Sequence, residues 1–162
     1  MKYNKEKLFW IARNASKDVV CLPWDEQKEE YYSFVKREVA SGYHQLSITS
    51  EIMSKIISQF ILLGNWSVDK IEMMEEDSEL CADLDSLIDA SQSRPESIIE
   101  LLDYIRTIVE ESSIEIKRVY LSGRDNNNKL YAFFIQVNGI IGVYNKNDLV
   151  IDKICEIIRE YV

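Results

Sequence analysis

Residues 114–144 read IEIKRVYLSGRDNNNKLYAFFIQVNGIIGVY, and this stretch decides the fold class. Two runs rich in β-branched and aromatic residues, IEIKRVYLS and KLYAFFIQV, flank a polar loop of turn-forming residues. Asn138-Gly139 separates the second run from a third, IIGVY, and is a strong two-residue hairpin signal. The pattern predicts a three-stranded antiparallel meander.

The Asn138-Gly139 turn also predicts how the second and third strands pair. A two-residue type I′ turn would place Val137 opposite Ile140 and Phe133 opposite Tyr144. Both faces of the middle strand then carry apolar side chains, so we expect that strand to be covered on both sides.

Apolar residues at helical spacing predict helices over most of the chain before residue 114. The first helix is predicted at residues 4–15, and the second is capped by Asp25 and ends near Gly42. The third is capped by Ser47 or Thr49 and ends at Gly64-Asn65, and a short fourth helix lies around residues 68–74. The fifth carries Leu80, Leu84, Leu87 and Ile88, and the sixth is opened by Ser93-Arg94-Pro95-Glu96 as a capping box. A short extended segment is expected at residues 19–22.

After the meander, Asn145 or Asn147 is predicted to cap a closing helix whose apolar stripe suits packing on the sheet. The chain therefore reads as one α+β domain over residues 1–162, with N-terminal helices, a three-stranded antiparallel meander and a C-terminal helix packed on the sheet. Four bases near the first hairpin are expected to protect an edge strand by their charge, namely Lys117, Arg118, Arg124 and Lys129.

The formal net charge of −9 is concentrated in the middle third of the chain. Residues 65–113 carry 3 Lys and Arg against 14 Asp and Glu, a net of −11, whereas each flanking segment has a net of +1. No basic residue lies between Lys70 and Arg94. Such a segment repels nucleic acid and anionic membranes and attracts basic proteins. We therefore expect a basic protein partner, with neither nucleic acid nor membrane as a partner.

The acidic segment is the sharpest candidate site, although its ordinary interpretation is a solvated helical face. The functional interpretation is a docking surface for a basic protein. Trp66 lies just before the segment, and tryptophan is a favoured interface anchor. The candidate partner-binding residues are Trp66, Glu72, Glu75, Glu76, Asp77, Glu79, Asp83 and Asp85.

The sequence carries no recognisable catalytic or metal-binding motif. Cys21, Cys81 and Cys155 are scattered without a CxxC pair, and His44 is the only histidine, so neither a zinc site nor a Cys–His nucleophile is expected. Calcium-loop, GxSxG, Walker and GxGxxG patterns are also missing. We predict a protein that is not an enzyme and uses no cofactor. Carboxylate pairs leave no signature in sequence spacing, so a carboxylate-based hydrolase stays as an alternative.

The remaining expectations concern compartment and function. An odd number of scattered cysteines, no signal-peptide pattern and no apolar run of membrane-spanning length indicate a cytoplasmic protein. Together with the charge, these features favour a small acidic protein-binding module, most simply an inhibitor or immunity-type protein (an antitoxin) that neutralises a basic toxin or nuclease by direct binding. A secretion-type or assembly-type chaperone is the main alternative. The oligomeric state is left open.

Overall fold

The computed structural model, which describes residues 1–145 and 148–162, is built around a seven-stranded antiparallel sheet. Its elements in chain order are β1 (Asn4–Arg13), β2 (Ser16–Pro23), α1 (Tyr31–Ala40), β3 (His44–Gln45), α2 (Ser50–Leu62), β4 (Trp66–Met73), α3 (Ser78–Ser93), a 3₁₀ turn (Pro95–Ser97), α4 (Ile98–Glu111), β5 (Ile116–Arg124), β6 (Leu130–Gln136), β7 (Ile140–Tyr144) and α5 (Asp148–Arg159). The strand order is β2-β1-β7-β6-β5-β4, and β3 pairs with β1. The predicted α+β class is confirmed. The predicted architecture, N-terminal helices followed by a three-stranded meander, was wrong, because the sheet has seven strands and begins with an N-terminal hairpin.

The segment predicted as a first helix, residues 4–15, belongs instead to an N-terminal β-hairpin. β1 and β2 pair antiparallel over eight residue pairs. Asn14 and Ala15 make the turn with φ of 49° and 66°, the left-handed backbone that matches the twist of a two-residue hairpin. Leu8 and Phe9 are both fully buried, on opposite faces of the sheet. The helix prediction failed because adjacent apolar residues here mark a strand covered on both sides.

The short helix predicted around residues 68–74 is also a strand, β4. Val68 and Ile71 both enter the core although they are three residues apart. The register against β5 shifts between Val68 and Lys70, so Asp69 is an extra residue in the strand. A bulge of this kind changes the strict alternation of a strand into an i, i+3 spacing. That spacing resembles a helix in the sequence.

The meander prediction is confirmed by β5, β6 and β7, and Asn138-Gly139 lies in its second turn. The turn is longer than predicted. The amide of Gly139 donates to the carbonyl oxygen of Gln136 at 2.9 Å, and Gly139 alone of the two turn residues has a positive φ, 83°. The connection is therefore a three-residue loop ending in a left-handed glycine, and the type I′ prediction was wrong.

The longer turn shifts the pairing of β6 and β7 by one residue. Phe133 lies opposite Val143, and Ile135 lies opposite Ile141. The predicted partner of Phe133, Tyr144, instead pairs with Ala132. A one-residue shift exchanges the faces of a strand, and as a result Ile141 and Val143 join Phe133 and Ile135 in the main core.

Of the predicted helix caps before residue 90, one is confirmed. Thr49 caps α2, where its hydroxyl oxygen accepts from the amide of Ile52 at 3.2 Å. Asp25 does not cap α1, because the residue before that helix is Glu30 and the Asp25 side chain accepts from the amide of Gln27 in a preceding turn.

The last two predicted helix starts have different outcomes. Ser93 is the final residue of α3, and its hydroxyl donates to the carbonyl oxygen of Asp89 rather than capping α4. Asn145 donates its side-chain amide to the carbonyl oxygen of Leu130. Asn147, the alternative cap of α5, lies outside the described residues.

Helices cover the two faces of the sheet unequally. The main core lies between one face and the helices α2, α3, α4 and α5. On the second face, α1 covers only the β1–β2 end, where Phe34 and Val35 pack on Phe9. Within the described part of the chain no helix covers the middle of that face, and Phe134 is buried there by neighbouring side chains that include Tyr3 and Tyr120.

Lys7 lies where β1, α1 and the turn before β7 meet. It is fully buried, and its Nζ donates to the carbonyl oxygen of Asn138. The same Nζ lies 5.5 Å from the ring centroids of Phe9 and Tyr31. No carboxylate among the described residues forms a salt bridge with it. Burial lowers the pKa of Lys7 to about 8, because a low-dielectric site disfavours the charged form.

Replacing Lys7 by methionine should change how stability depends on pH. In the wild type the unfolded state holds the Lys7 proton up to pH 10.5 and the folded state only to about pH 8. Stability should therefore rise with pH between these values, by at most about 1.4 kcal/mol per pH unit from this group. Urea unfolding of wild type and Lys7→Met at pH 7 to 10 measures the difference. Identical pH profiles would contradict the assignment.

Replacing Gly139 by valine should destabilise the fold strongly. A Cβ at Gly139 would lie 2.8 Å from the carbonyl oxygen of Leu46, and φ is positive. We expect a loss of more than about 1–3 kcal/mol, the cost of strained backbone alone. Gly42→Val is the matched control, since Gly42 has a φ of 101° but no atom within 4 Å of its Cβ position. Urea unfolding should show a greater loss at Gly139, and equal losses would argue against the close approach.

Candidate functional site

The acidic segment of the sequence folds as β4, α3 and α4. The two helices pack on each other and α3 also packs on β4, so most of the carboxylates lie on two helices packed together. We call this surface the acidic region. Its exposed carboxylates are Glu75, Glu76, Glu79, Asp83, Asp85, Asp89, Glu100, Asp103, Glu110 and Glu111.

α3 forms at this place because its two faces differ. Leu84 and Ile88 are buried against the core, whereas the acids occupy the outer positions. Asp77 caps the helix, with a side-chain oxygen that accepts from the amide of Leu80 at 3.0 Å. Asp77 therefore stabilises the helix that carries the other carboxylates.

Tyr104 joins α4 to α3. Its hydroxyl donates to the Asp83 carboxylate at 3.3 Å. Burial raises the pKa of Tyr104, and the carboxylates of Asp83, Asp77 and Glu79 raise it further. Of these three carboxylates, Asp83 is the one that accepts the hydrogen bond from the Tyr104 hydroxyl.

Most charges of the acidic region are not neutralised within the chain. The salt bridges in this part of the sequence are Lys70–Glu72 at 3.4 Å and Arg106–Asp103 at 3.2 Å, as far as the described residues extend. None of the exposed acids in the segment before α3 or on α3 itself forms a salt bridge within the described chain. Unpaired like charges on packed helices produce a strong local negative potential.

Two of the predicted site residues lie apart from this surface. The Trp66 ring packs at 5.0 Å from Phe60 and 5.5 Å from Phe133, and Trp66 is partly buried at the edge of the main core. Glu72 projects from β4 toward the second face of the sheet, opposite Arg118 in register. The other six residues lie on α3 or in the turn before it.

Sequence reasoning missed the acids of α4 as site residues. Glu100, Asp103 and Glu110 were part of the charge count for residues 65–113, which was the available signal. Assigning them to the same surface as α3 needs the packing of the two helices. The prediction that Lys117, Arg118, Arg124 and Lys129 protect an edge strand was wrong. The first three lie on β5, between β4 and β6 inside the sheet, and Lys129 lies in the loop that joins β5 to β6.

The structure offers little for nucleophilic or metal chemistry. Burial raises the pKa of the Cys155 thiol to about 11 and raises that of Cys21 further, so both thiols stay protonated at neutral pH. His44 stacks on Trp10 with ring centroids 3.9 Å apart. Among residues 1–145 and 148–162, no group of three or more His, Cys, Asp or Glu side chains is arranged to hold a metal ion.

A cleft of about 570 Å³ lies between the start of α2 and the end of α4. It borders the acidic region through Glu110, and Glu51, Glu115 and Arg106 also line it. Neither histidine nor cysteine contributes to its lining. This cleft therefore extends the acidic surface, and within the described residues no hydroxyl group of its lining is hydrogen-bonded to a carboxylate.

The chain matches no protein-family model, no curated protein and no solved structure. Among the described residues, no helix combines the length and the apolar character needed to span a bilayer. Function is therefore inferred from the surfaces of the fold alone.

Asp77 stabilises α3 as its N-cap, so replacing it should cost more stability than replacing an exposed carboxylate nearby. Asp77→Ala should cost about 0.5–2 kcal/mol of stability, the usual loss for an N-cap. Glu76→Gln, one residue earlier and exposed, should change stability by no more than about 0.5 kcal/mol. Thermal and urea unfolding measure both variants. Equal effects would contradict the assignment of Asp77 as a cap.

Proposed function

We propose that the protein is a cytoplasmic protein-binding module that captures a basic protein through its acidic region. In the proposed role it is an inhibitor or immunity-type protein, which covers the basic cleft of a toxin or nuclease. The observation that carries this proposal is the cluster of exposed, unneutralised carboxylates on two helices packed together.

The arrangement suits rapid capture. A concentrated negative potential steers a basic partner toward productive encounters and raises the association rate by about 10-fold to 10³-fold. Most of the carboxylates are carried by helices, with Asp77 capping α3 and Tyr104 bonded to Asp83, and Glu75 and Glu76 lie in the segment just before α3. A surface held in this way binds without first having to order a flexible segment.

Individual residues have different parts in the proposed role. Glu75, Glu76, Glu79 and Asp85 are exposed and unpaired in the described chain, and they would meet the partner's cations. Asp77 and Asp83 would shape the surface. Trp66 and Glu72 lie in the sheet, and for this reason the proposal does not depend on them.

The cytoplasmic location rests on the thiols. Cys21, Cys81 and Cys155 are all unpaired, which is the usual state of cysteine in a reducing compartment.

Neutralising the acidic region should slow association with the partner. The test variant combines Glu75→Gln, Glu76→Gln, Glu79→Gln and Asp85→Asn. The control variant removes the same charge from the α5 segment by Asp148→Asn, Asp152→Asn, Glu156→Gln and Glu160→Gln. Both sets are exposed, so both should remain folded.

The partner is first identified by affinity capture at 50 and 500 mM NaCl with mass spectrometry, and association rates are then measured by stopped flow. We expect the test variant to associate at least tenfold more slowly at 50 mM NaCl, with a flatter dependence on salt. The control should stay within about threefold of the wild type. Equal slowing of both variants would mean that association depends on net charge alone. If the test variant associates as fast as the wild type, the acidic region is not the docking surface.

A further inference from the structure

The middle of the second sheet face carries a cluster of aromatic rings around one arginine. The Phe134 ring lies 5.1 Å from that of Tyr3 and 5.5 Å from that of Tyr120, measured between centroids. The Arg118 guanidinium lies 4.9 Å from the Phe134 centroid and 5.8 Å from that of Tyr120. We call these four residues the Arg118 cluster.

The backbone holds the cluster in place. Gly142 lies opposite Phe134 in the register of β6 and β7, and the Phe134 ring fills the space where a Cβ of Gly142 would be. The aromatic ring therefore lies directly over the sheet at a position where only glycine fits. Such packing fixes the ring against which the guanidinium stacks.

No carboxylate among the described residues forms a salt bridge with Arg118. One terminal nitrogen donates to the Tyr120 hydroxyl at 2.7 Å, and Nε is buried without an acceptor in the described chain. Glu72 lies opposite in register but pairs with Lys70 at 3.4 Å. Lys5, another base on this face, pairs with Glu26 at 2.6 Å.

We propose that the Arg118 cluster binds a small aromatic carboxylate. The guanidinium supplies donors for a planar carboxylate, and the partly exposed rings of Tyr3 and Tyr120 supply the apolar contact surface for an aromatic body. A cleft of about 390 Å³, lined by Tyr3 and Trp24, opens beside the cluster and gives room for a substituent.

The charges around the cluster select a ligand with a single negative charge. Glu26 and Glu72 already neutralise the neighbouring lysines, and Asp69, bonded to the Ser122 hydroxyl at 3.0 Å, borders the cluster on the β4 side. A polyanion such as nucleic acid would meet these carboxylates. The single unpaired guanidinium of Arg118 therefore matches a ligand with a single carboxylate.

The test uses benzoate as the probe and benzamide as its neutral control. Chemical shifts of ¹⁵N-labelled protein are followed during titration of each compound into the full chain. We expect saturable shifts at the amides of Phe134, Gly142 and Arg118 with benzoate, and an affinity at least tenfold lower for benzamide. Arg118→Gln should lose at least tenfold in benzoate affinity. Arg124→Gln, which removes an exposed guanidinium bonded to the Asn128 carbonyl oxygen, should bind as the wild type does.

Arg118→Lys covers the case in which Arg118→Gln fails to fold. It retains the charge but lacks the planar donor geometry, so we expect severalfold weaker binding with unchanged thermal stability. No benzoate shifts, equal affinity for benzamide, or full affinity in either Arg118 variant would overturn the proposal. Two other results, each without any benzoate effect, would also overturn the proposal. Shifts at the same amides with a thymidine octanucleotide would favour nucleic acid as the ligand. Shifts at these amides on raising the protein concentration would favour a second copy of the chain.

Discussion

The pairing of β1 with β7 is the constraint on which the rest of the fold depends. It joins the first ten residues of the chain to the last strand, with Lys7 opposite Ile140 and Asn4 opposite Val143. The Gly139 carbonyl oxygen accepts from the amide of Leu8 at 2.8 Å, which extends this pairing into the turn. Without this contact the N-terminal hairpin and the C-terminal meander would be separate small sheets, each with an apolar face lacking a partner. Contacts so distant in sequence are costly in chain entropy, and they form only because burial on both faces compensates for the loss.

This pairing also explains which parts of the fold the sequence predicts. The meander, the Thr49 cap and the stop at Gly64 follow from signals within a few residues of each other. β1 and β4 were misread because their residue patterns reflect long-range packing. Leu8 and Phe9 are adjacent and both buried since helices lie on both sides of β1. The bulge at Asp69 depends on the pairing of β4 with β5, which the sequence of β4 alone does not reveal.

The candidate site likewise has a part that the sequence predicts and a part that depends on the fold. The excess of carboxylates in residues 65–113 is a composition signal, and the fold keeps it together because α3 and α4 pack on each other. The residue-level assignment was less accurate, since exposure depends on register and helix rotation. Trp66 packs, partly buried, at the edge of the main core, and Glu72 lies on the second face of the sheet. Arg118 was dismissed as an edge charge because nothing in its own strand shows that β4 lies beyond it.

The two surfaces differ in chemistry and are separated by the sheet. The acidic region lies in the helical layer, whereas the Arg118 cluster lies on the opposite face, where no helix covers it. Each retains charge that the chain itself does not neutralise. Like charges packed on α3 repel one another and lower the stability of the fold, and a partly buried guanidinium without a carboxylate has a desolvation cost. A single acid-to-glutamine substitution on α3 would reduce the first cost, and Arg118→Met would remove the second. Under the two proposals, each surface meets charge supplied from outside, a basic protein at the acidic region and a single carboxylate at the Arg118 cluster.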